Sequence, residues 1–307
     1  MGMSEKSQQY DTALRKVLIE TEQDPELRQA LIRELEEKIG RRVVTFFTSF
    51  RYPASIDDED ADMLEDLLTN TDLSDGLALV INSGGGAGLT TEKIIQICKT
   101  YGNGEFITIV PKMAKSAATM ICLGSSEIWM AETAELGPVE PQFPIPDTET
   151  GYFRYVQARN IIESYESLIK EATETDGNVE PYLQQLQRYD PRIIEELKDA
   201  ESLSEDISIS ALKEGMMNDK SKEDIKQCVQ VLLDPKITAS HGRAIYPQTA
   251  KDCGLKIRTI RPDDEMWPIL HELYVRTNHF VRTKASKAIE TRNAAYRAVP
   301  PSKEGIE

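Results

Sequence analysis

The chain has 307 residues, enough for one large domain or two small ones with a sizeable core. Acidic residues outnumber basic ones, 52 to 36, and the formal net charge of -16 argues against the chain as a whole gripping a nucleic-acid backbone. With 40% apolar and 29% charged residues the composition is globular rather than disordered, and no apolar run approaches the roughly 18 residues of a membrane span.

The first 40 residues read as helix. Asp24 fits an N-cap and Pro25 the first helical position. Leu27, Leu31, Leu35 and Ile39 follow at a spacing of four, and Gly40 closes the helix. Such a helix either packs on the core or serves as an oligomerisation arm. Val43-Val44-Thr45-Phe46-Phe47 is a β-branched and aromatic run, hence a buried strand. Residues 57–70 read as helix with Met63, Leu64, Leu67 and Leu68 on one face. Leu77-Ala78-Leu79-Val80-Ile81 is a second strand, 91–101 a helix stopped by Gly102, and Phe106-Ile107-Thr108-Ile109-Val110 a third strand ended by Pro111. A short helix over 117–123 and a strand at Ile128-Trp129-Met130 follow. This alternation of continuous apolar strands with helices predicts an α/β fold with a mostly parallel sheet. Residues 152–233 read as largely helical with breaks near Gly177 and Pro191, 244–254 as strand-turn-helix, and 256–260 as a last strand. Residues 281–298 carry Arg282, Lys284, Lys287, Arg292 and Arg297 against Glu290 and read as a basic helical tail, either solvated or docked on an acidic neighbour or a polyanion. The expected division is an N-terminal helical arm over 1–40, a core over 41–260 and a C-terminal helical tail over 261–307.

Two segments carry candidate chemistry. Gly84-Gly85-Gly86-Ala87-Gly88 joins the second strand to a helix. Glycines there suit a phosphate-binding loop, a tight structural turn, or an oxyanion hole in which a backbone N–H meets developing negative charge. Neither GxGxxG nor a Walker lysine is present, which argues against nucleotide. After the third strand, Ser116 stands at a strand-to-helix turn followed by the small residues Ala117 and Ala118. It is either an N-cap or a nucleophile, with Gly86 and Ala117 as the oxyanion donors.

Ile81-Asn82-Ser83-Gly84-Gly85-Gly86, Ala114-Lys115-Ser116-Ala117-Ala118-Thr119-Met120 and Leu136-Gly137-Pro138-Val139-Glu140-Pro141-Gln142, taken in order, resemble the serine dehydrogenase proteinase family. That family belongs to the Clp protease/crotonase superfamily and is related to signal peptide peptidase A. The resemblance covers roughly residues 41–260 and implies a Clp protease/crotonase-like fold of repeated ββα units, with N- and C-terminal helical extensions. It also implies Ser116 as nucleophile, with Gly86 and Ala117 as oxyanion donors. The relatives usually have proline where this chain has Gly84.

A serine nucleophile needs a base. The Clp proteolytic subunit has a histidine shortly after its serine, and the stretch Gly137-Pro138-Val139-Glu140 has none. Signal peptide peptidase A relatives use a Ser-Lys dyad, and Lys170 lies at a similar distance here. His241 is the second candidate, because the segment from His241 to Leu255 resembles the superfamily's last strand-turn-helix and an imidazole titrates near neutrality. His241 ranks slightly ahead, with Asp234 upstream to orient it; His271 and His279 read as structural. Lys112 and Lys115 flank the serine too closely to fold back easily as base and are either exposed turn lysines or contacts for a substrate carboxylate or an acidic neighbour.

The leading expectation is a soluble serine peptidase acting on peptide or protein substrates through an acyl-enzyme, assembled as a homo-oligomer, with no cofactor, no nucleic acid and no membrane span. The alternatives are a non-catalytic oligomeric binding or assembly module of the same fold and a crotonase-type acyl-coenzyme A enzyme. Residues 1–9 lack the apolar centre of a secretory signal. Cys98, Cys122, Cys228 and Cys253 form no CxxC pair, so a disulfide framework or a zinc site is not expected and a cytoplasmic location is. Three scattered histidines form no metal-ligand cluster.

Overall fold

The computed structural model describes residue 17 and residues 25–52, 54–146, 153–234 and 243–299. Its centre is a seven-stranded sheet in the order β11-β10-β1-β2-β3-β5-β9. The strands are β1 (Arg42–Thr48), β2 (Leu77–Asn82), β3 (Phe106–Val110), β5 (Glu127–Ala131), β9 (Ile257–Ile260), β10 (Lys287–Glu290) and β11 (Ala295–Ala298). Pairings from β1 through β2, β3 and β5 to β9 are parallel; β10 runs antiparallel to β1, and β11 to β10. The sheet is therefore large and largely parallel.

Continuous apolar strands need cover on both faces. Alternation along β2 sends Leu77, Leu79 and Ile81 into one cluster and Ala78 and Val80 into another. Helices α2 (Asp58–Thr69), α3 (Gly88–Tyr101) and α4 (Ala117–Leu123) cover the first face with Leu64, Leu68, Ile94 and Ile121. Helices α1 (Pro25–Ile39) and α11 (Trp267–Thr283) cover the second with Ile32, Leu35, Leu270 and Phe280. Of the two readings of α1, packing on the core is the one its burial supports: Ile32 and Leu35 are fully buried. The α3 helix begins at Gly88, three residues before the expected start.

The basic tail differs from expectation. After Thr283 the chain leaves the helix and adds two strands to the main sheet. Two of the basic charges that suggested a solvated helix, Lys287 and Arg292, are paired with acids of this chain, as is the acid Glu290 with a base. Glu290, 1% exposed, receives the Arg28 guanidinium through Nε–Oε2 at 2.8 Å and Nη2–Oε1 at 2.6 Å. Lys287 meets Asp57 and Asp60, and Arg292 meets Glu36.

The 152–233 region is also more than helix. Strands β7 (Gln142–Pro146) and β8 (Phe153–Gln157) pair antiparallel ahead of the helices α5 (Ala158–Glu174), α6 (Glu180–Leu186), α7 (Pro191–Glu214), α8 (Lys222–Cys228) and α9 (Gln230–Leu233), and a short helix α10 (Pro247–Asp252) precedes β9. Ala158, Ile162, Ile194 and Leu197 form a separate small core between α5 and α7. Among the described residues no helix is long and apolar enough to cross a membrane.

Candidate active site

Beyond the carboxyl ends of β2 and β3 the chain builds a second, smaller layer. Strand β4 (Met113–Ala114) pairs in parallel with β6 (Glu135–Leu136). Ser83 bridges to Ala114 on one side, and Leu136 bridges to Ile245 on the other. The row Ser83, Ala114, Leu136, Ile245 thus brings the three quoted motifs and the segment after His241 side by side. Ligands of open α/β sheets bind at this end of the strands.

Ser116 follows β4 directly and occupies the cap position of α4, with φ 50° and ψ -120°. A positive φ is strained for any residue with a Cβ. Its side chain makes no cap hydrogen bond, so the N-cap role is not the one it performs. The glycine loop lies against it. Gly85 has φ +103°, and a Cβ there would stand 2.8 Å from Ser116 Cβ and 3.0 Å from Ala117 N. The Gly85 N–H donates to Ser83 Oγ at 3.1 Å, and Thr48 Oγ1 donates to the same oxygen at 2.8 Å.

Gly86 is held from its other side by Ile56. The Ile56 N–H donates to Gly85 O and the Ala87 N–H to Ile56 O, each at 2.9 Å. In that bridge the N–H of the middle residue, Gly86, faces away from Ile56. Gly86 is exposed, and among the described residues its N–H has no acceptor. A Cβ on Gly86 would run into the Ile56 backbone, coming within 2.7 Å of its Cα. Gly84 is less constrained. A Cβ there meets only Phe50, at 3.4 Å, so geometry does not require glycine where the relatives carry proline.

Thr119, buried on α4, locks the third motif to the serine turn. Its hydroxyl lies 2.8 Å from Ala114 O and accepts the Gly137 N–H at 3.1 Å. Lys115 is neither an exposed turn lysine nor a free contact for substrate. Its side chain crosses Gly137, where a Cβ would stand 2.5 Å from Lys115 Cδ, and its amine pairs with Glu135 at 2.7 Å. Lys112 is half-buried.

The candidate bases are placed differently. Lys170 is exposed on α5, a helix that packs on α6, α7 and β8, and no described contact joins it to Ser116. His241 lies outside the described residues. Ile245, four positions later, exchanges both backbone hydrogen bonds with Leu136 at 3.0 Å. Asp234 is near the Arg159 guanidinium. His271 stacks on Trp267 at 5.0 Å, and burial followed by Arg282 pulls His279 below the ordinary imidazole value. Both histidines sit on α11, across the sheet from α4. Among the described residues no group of acidic, cysteine and histidine side chains is arranged to hold a metal ion.

Sequence reasoning did not single out Ile56, Thr48 or Thr119. Thr119 stood inside a quoted motif. Ile56 contributes backbone alone, and its side-chain type carries no signal of that.

Residues 16–149 match the model of a family described as ClpP-like SDH-type serine proteinase. The resemblance to the serine dehydrogenase proteinases is thereby shown over a segment that contains Gly86, Ser116 and β6, while β9, β10 and β11 lie beyond it. The chain is also 29% identical over 136 residues to an uncharacterized protein of Methanocaldococcus jannaschii, an alignment covering 40% of this chain and 46% of that protein. The chain thus spans about half the length of that relative.

Proposed function

We propose that this chain, whose residues 16–149 carry the match to ClpP-like SDH-type serine proteinases, is a serine peptidase acting through an acyl-enzyme on Ser116. The observation that carries the reading is the contact of the glycine loop with a strained serine: Gly85 packed on Ser116, and beside it the Gly86 N–H without a partner among the described residues. The small second layer above the sheet supports a Clp protease/crotonase-like arrangement of the core.

In this reading a base takes the Ser116 proton as Oγ attacks the carbonyl carbon of a peptide. The carbonyl electrons move onto oxygen, which is met by the N–H groups of Gly86 and Ala117. Collapse expels the amine, which takes the proton from the base. Water then attacks the ester by the same route and restores Ser116. His241 is the preferred base over Lys170. The pairing of Ile245 with Leu136 and the exposure of Lys170 support that order.

The test is a fluorophosphonate probe, which replaces its fluoride by Ser116 Oγ. We expect an adduct on Ser116 in the wild type, none in Ser116→Ala or His241→Ala, and an adduct retained in Lys170→Ala. The reverse pattern in the last two names the lysine. A second reading, a non-catalytic assembly module of the same fold, is favoured by one observation: no described residue hydrogen-bonds the Ser116 hydroxyl. An intact protein that takes no probe selects it.

Peptide or protein substrates and a homo-oligomeric state belong to the same proposal. Tyr155, Ile169, Leu183 and Ile193 are exposed apolar residues on β8 and α5 to α7 and are available for subunit contact. Sedimentation velocity measures the state directly, and a monomer at micromolar concentration would overturn it.

A further inference from the structure

We propose that Lys287, the first residue of β10, is a positioning residue for the glycine loop at residues 85–87. The inference rests on the reading of Gly86 as an oxyanion donor. Lys287 lies far outside the segment that matches the proteinase family, and none of the site chemistry above uses it.

Lys287 is buried beside the end of β1, where it stands opposite Thr48. Its amine donates to Asp57 Oδ2 at 2.6 Å and to Asp60 Oδ2 at 2.9 Å. Burial alone would pull the amine down, but the hydrogen bonds it donates to Asp57 and Asp60 outweigh that and hold the amine above its ordinary value. The ammonium is therefore retained where desolvation opposes it. Asp60, 1% exposed, has one carboxylate oxygen on Lys287 and the Asp57 N–H, and the other without a partner among the described residues. Without Lys287 two carboxylates would face each other, one of them buried.

The two acids are joined to the loop by a single residue. Asp57 N–H donates to Asp60 Oδ2 at 2.9 Å, and Asp60 N–H donates to Asp57 O at 3.0 Å, so the entry to α2 is locked. Ile56 immediately precedes it and makes both backbone hydrogen bonds to the loop segment that flanks Gly86, to Gly85 and Ala87. The direction of the Gly86 N–H is set by that bridge. The bridge is set by where Ile56 lies, and Ile56 is held by a lock that Lys287 closes from 230 residues away along the chain. A lost lock leaves the sheet in place and frees the loop.

The test has two readouts. The first is hydrogen exchange by mass spectrometry on peptides spanning residues 84–90, with a β3 peptide as reference. Lys287→Met should speed exchange in the loop by about tenfold and leave β3 unchanged. Lys287→Arg, which keeps the charge, should restore protection. The second is the rate of fluorophosphonate labelling of Ser116, separated into binding and reaction steps. The maximal reaction rate should fall about tenfold in Lys287→Met with the half-saturating probe concentration little changed, because a mis-aimed N–H is felt in the transition state. If Lys287→Met does not fold, Asp60→Asn weakens the same lock without leaving a lone buried ammonium, since Asp57 remains. Loop exchange identical to wild type in the folded variants overturns the inference. A wild-type serine that takes no probe overturns the peptidase reading, while the exchange data still decide whether Lys287 holds the loop.

Discussion

The backbone of Ile56 occupies the space that a side chain at position 86 would need. The glycine loop is thus pressed between the β1–α2 connection at Gly86 and the serine turn at Gly85. Neither neighbour can yield easily, because both are backbone.

Gly86→Ala should therefore be costly in both stability and reactivity. Overpacking against backbone predicts a loss of about 1–3 kcal/mol in urea unfolding. The Ser116 adduct should disappear even where the variant remains folded. A stable Gly86→Ala protein that labels normally would show that the loop has room the geometry denies.

Ser116→Gly should stabilise the protein while abolishing the adduct. With φ 50° and ψ -120°, the backbone at 116 suits glycine, and relief of that strain is worth about 1 kcal/mol. Ser116→Ala removes the hydroxyl but keeps the strain. Thermal denaturation should place the glycine variant above the alanine variant. The opposite order would mean that the serine backbone is not strained.

The Arg28–Glu290 pair should be strongly coupled. Both side chains are buried and joined by two hydrogen bonds, with the guanidinium 4.1 Å from the centre of the Phe280 ring. Arg28→Met should cost about 3–5 kcal/mol, because it leaves the buried Glu290 carboxylate without its guanidinium, and Glu290→Gln should also destabilise. The double variant should cost less than the sum. Additive losses in a double-mutant cycle would show the two groups to be independent.

The thiols should react in an order set by burial. Burial pushes Cys98 and Cys122 up to about 12 and Cys253 to about 11, while Cys228 is half-buried. At pH 8 native protein should be alkylated by iodoacetamide at Cys228 first and at Cys98 and Cys122 only on unfolding. Folding raises these pKa values from 9.0, so the protonated thiols' contribution to stability is fully present below that value. It is lost as pH rises from 9.0 toward about 12. Equal labelling of all four cysteines in native protein would contradict the packing.

The parallel centre of the sheet was legible because β2 and β3 are uninterrupted apolar runs, a pattern that a strand buried on both faces requires. The serine and glycine segments were legible from residue type and their places after those strands. Strands β10 and β11 were not. Lys-Ala-Ile-Glu is too short for periodicity to separate strand from helix, and its charges become core residues only through Arg28, Asp57 and Asp60. Strand β7 was masked by Pro144 and Pro146, residues that argue against a strand away from an edge. Ile56 was invisible for another reason: it acts through peptide groups that every residue possesses.

The order β11-β10-β1-β2-β3-β5-β9 has a practical consequence for anyone trimming the protein to the segment that matches the proteinase family. A fragment ending at residue 149 keeps four adjacent strands and loses the neighbours on both flanks. It also loses α11, and with it half the cover over one face. Strands β1 and β5 would then become unpaired edges facing water, and such edges recruit other chains. The minimal folding unit is set by the last strands rather than by the motif that carries the serine.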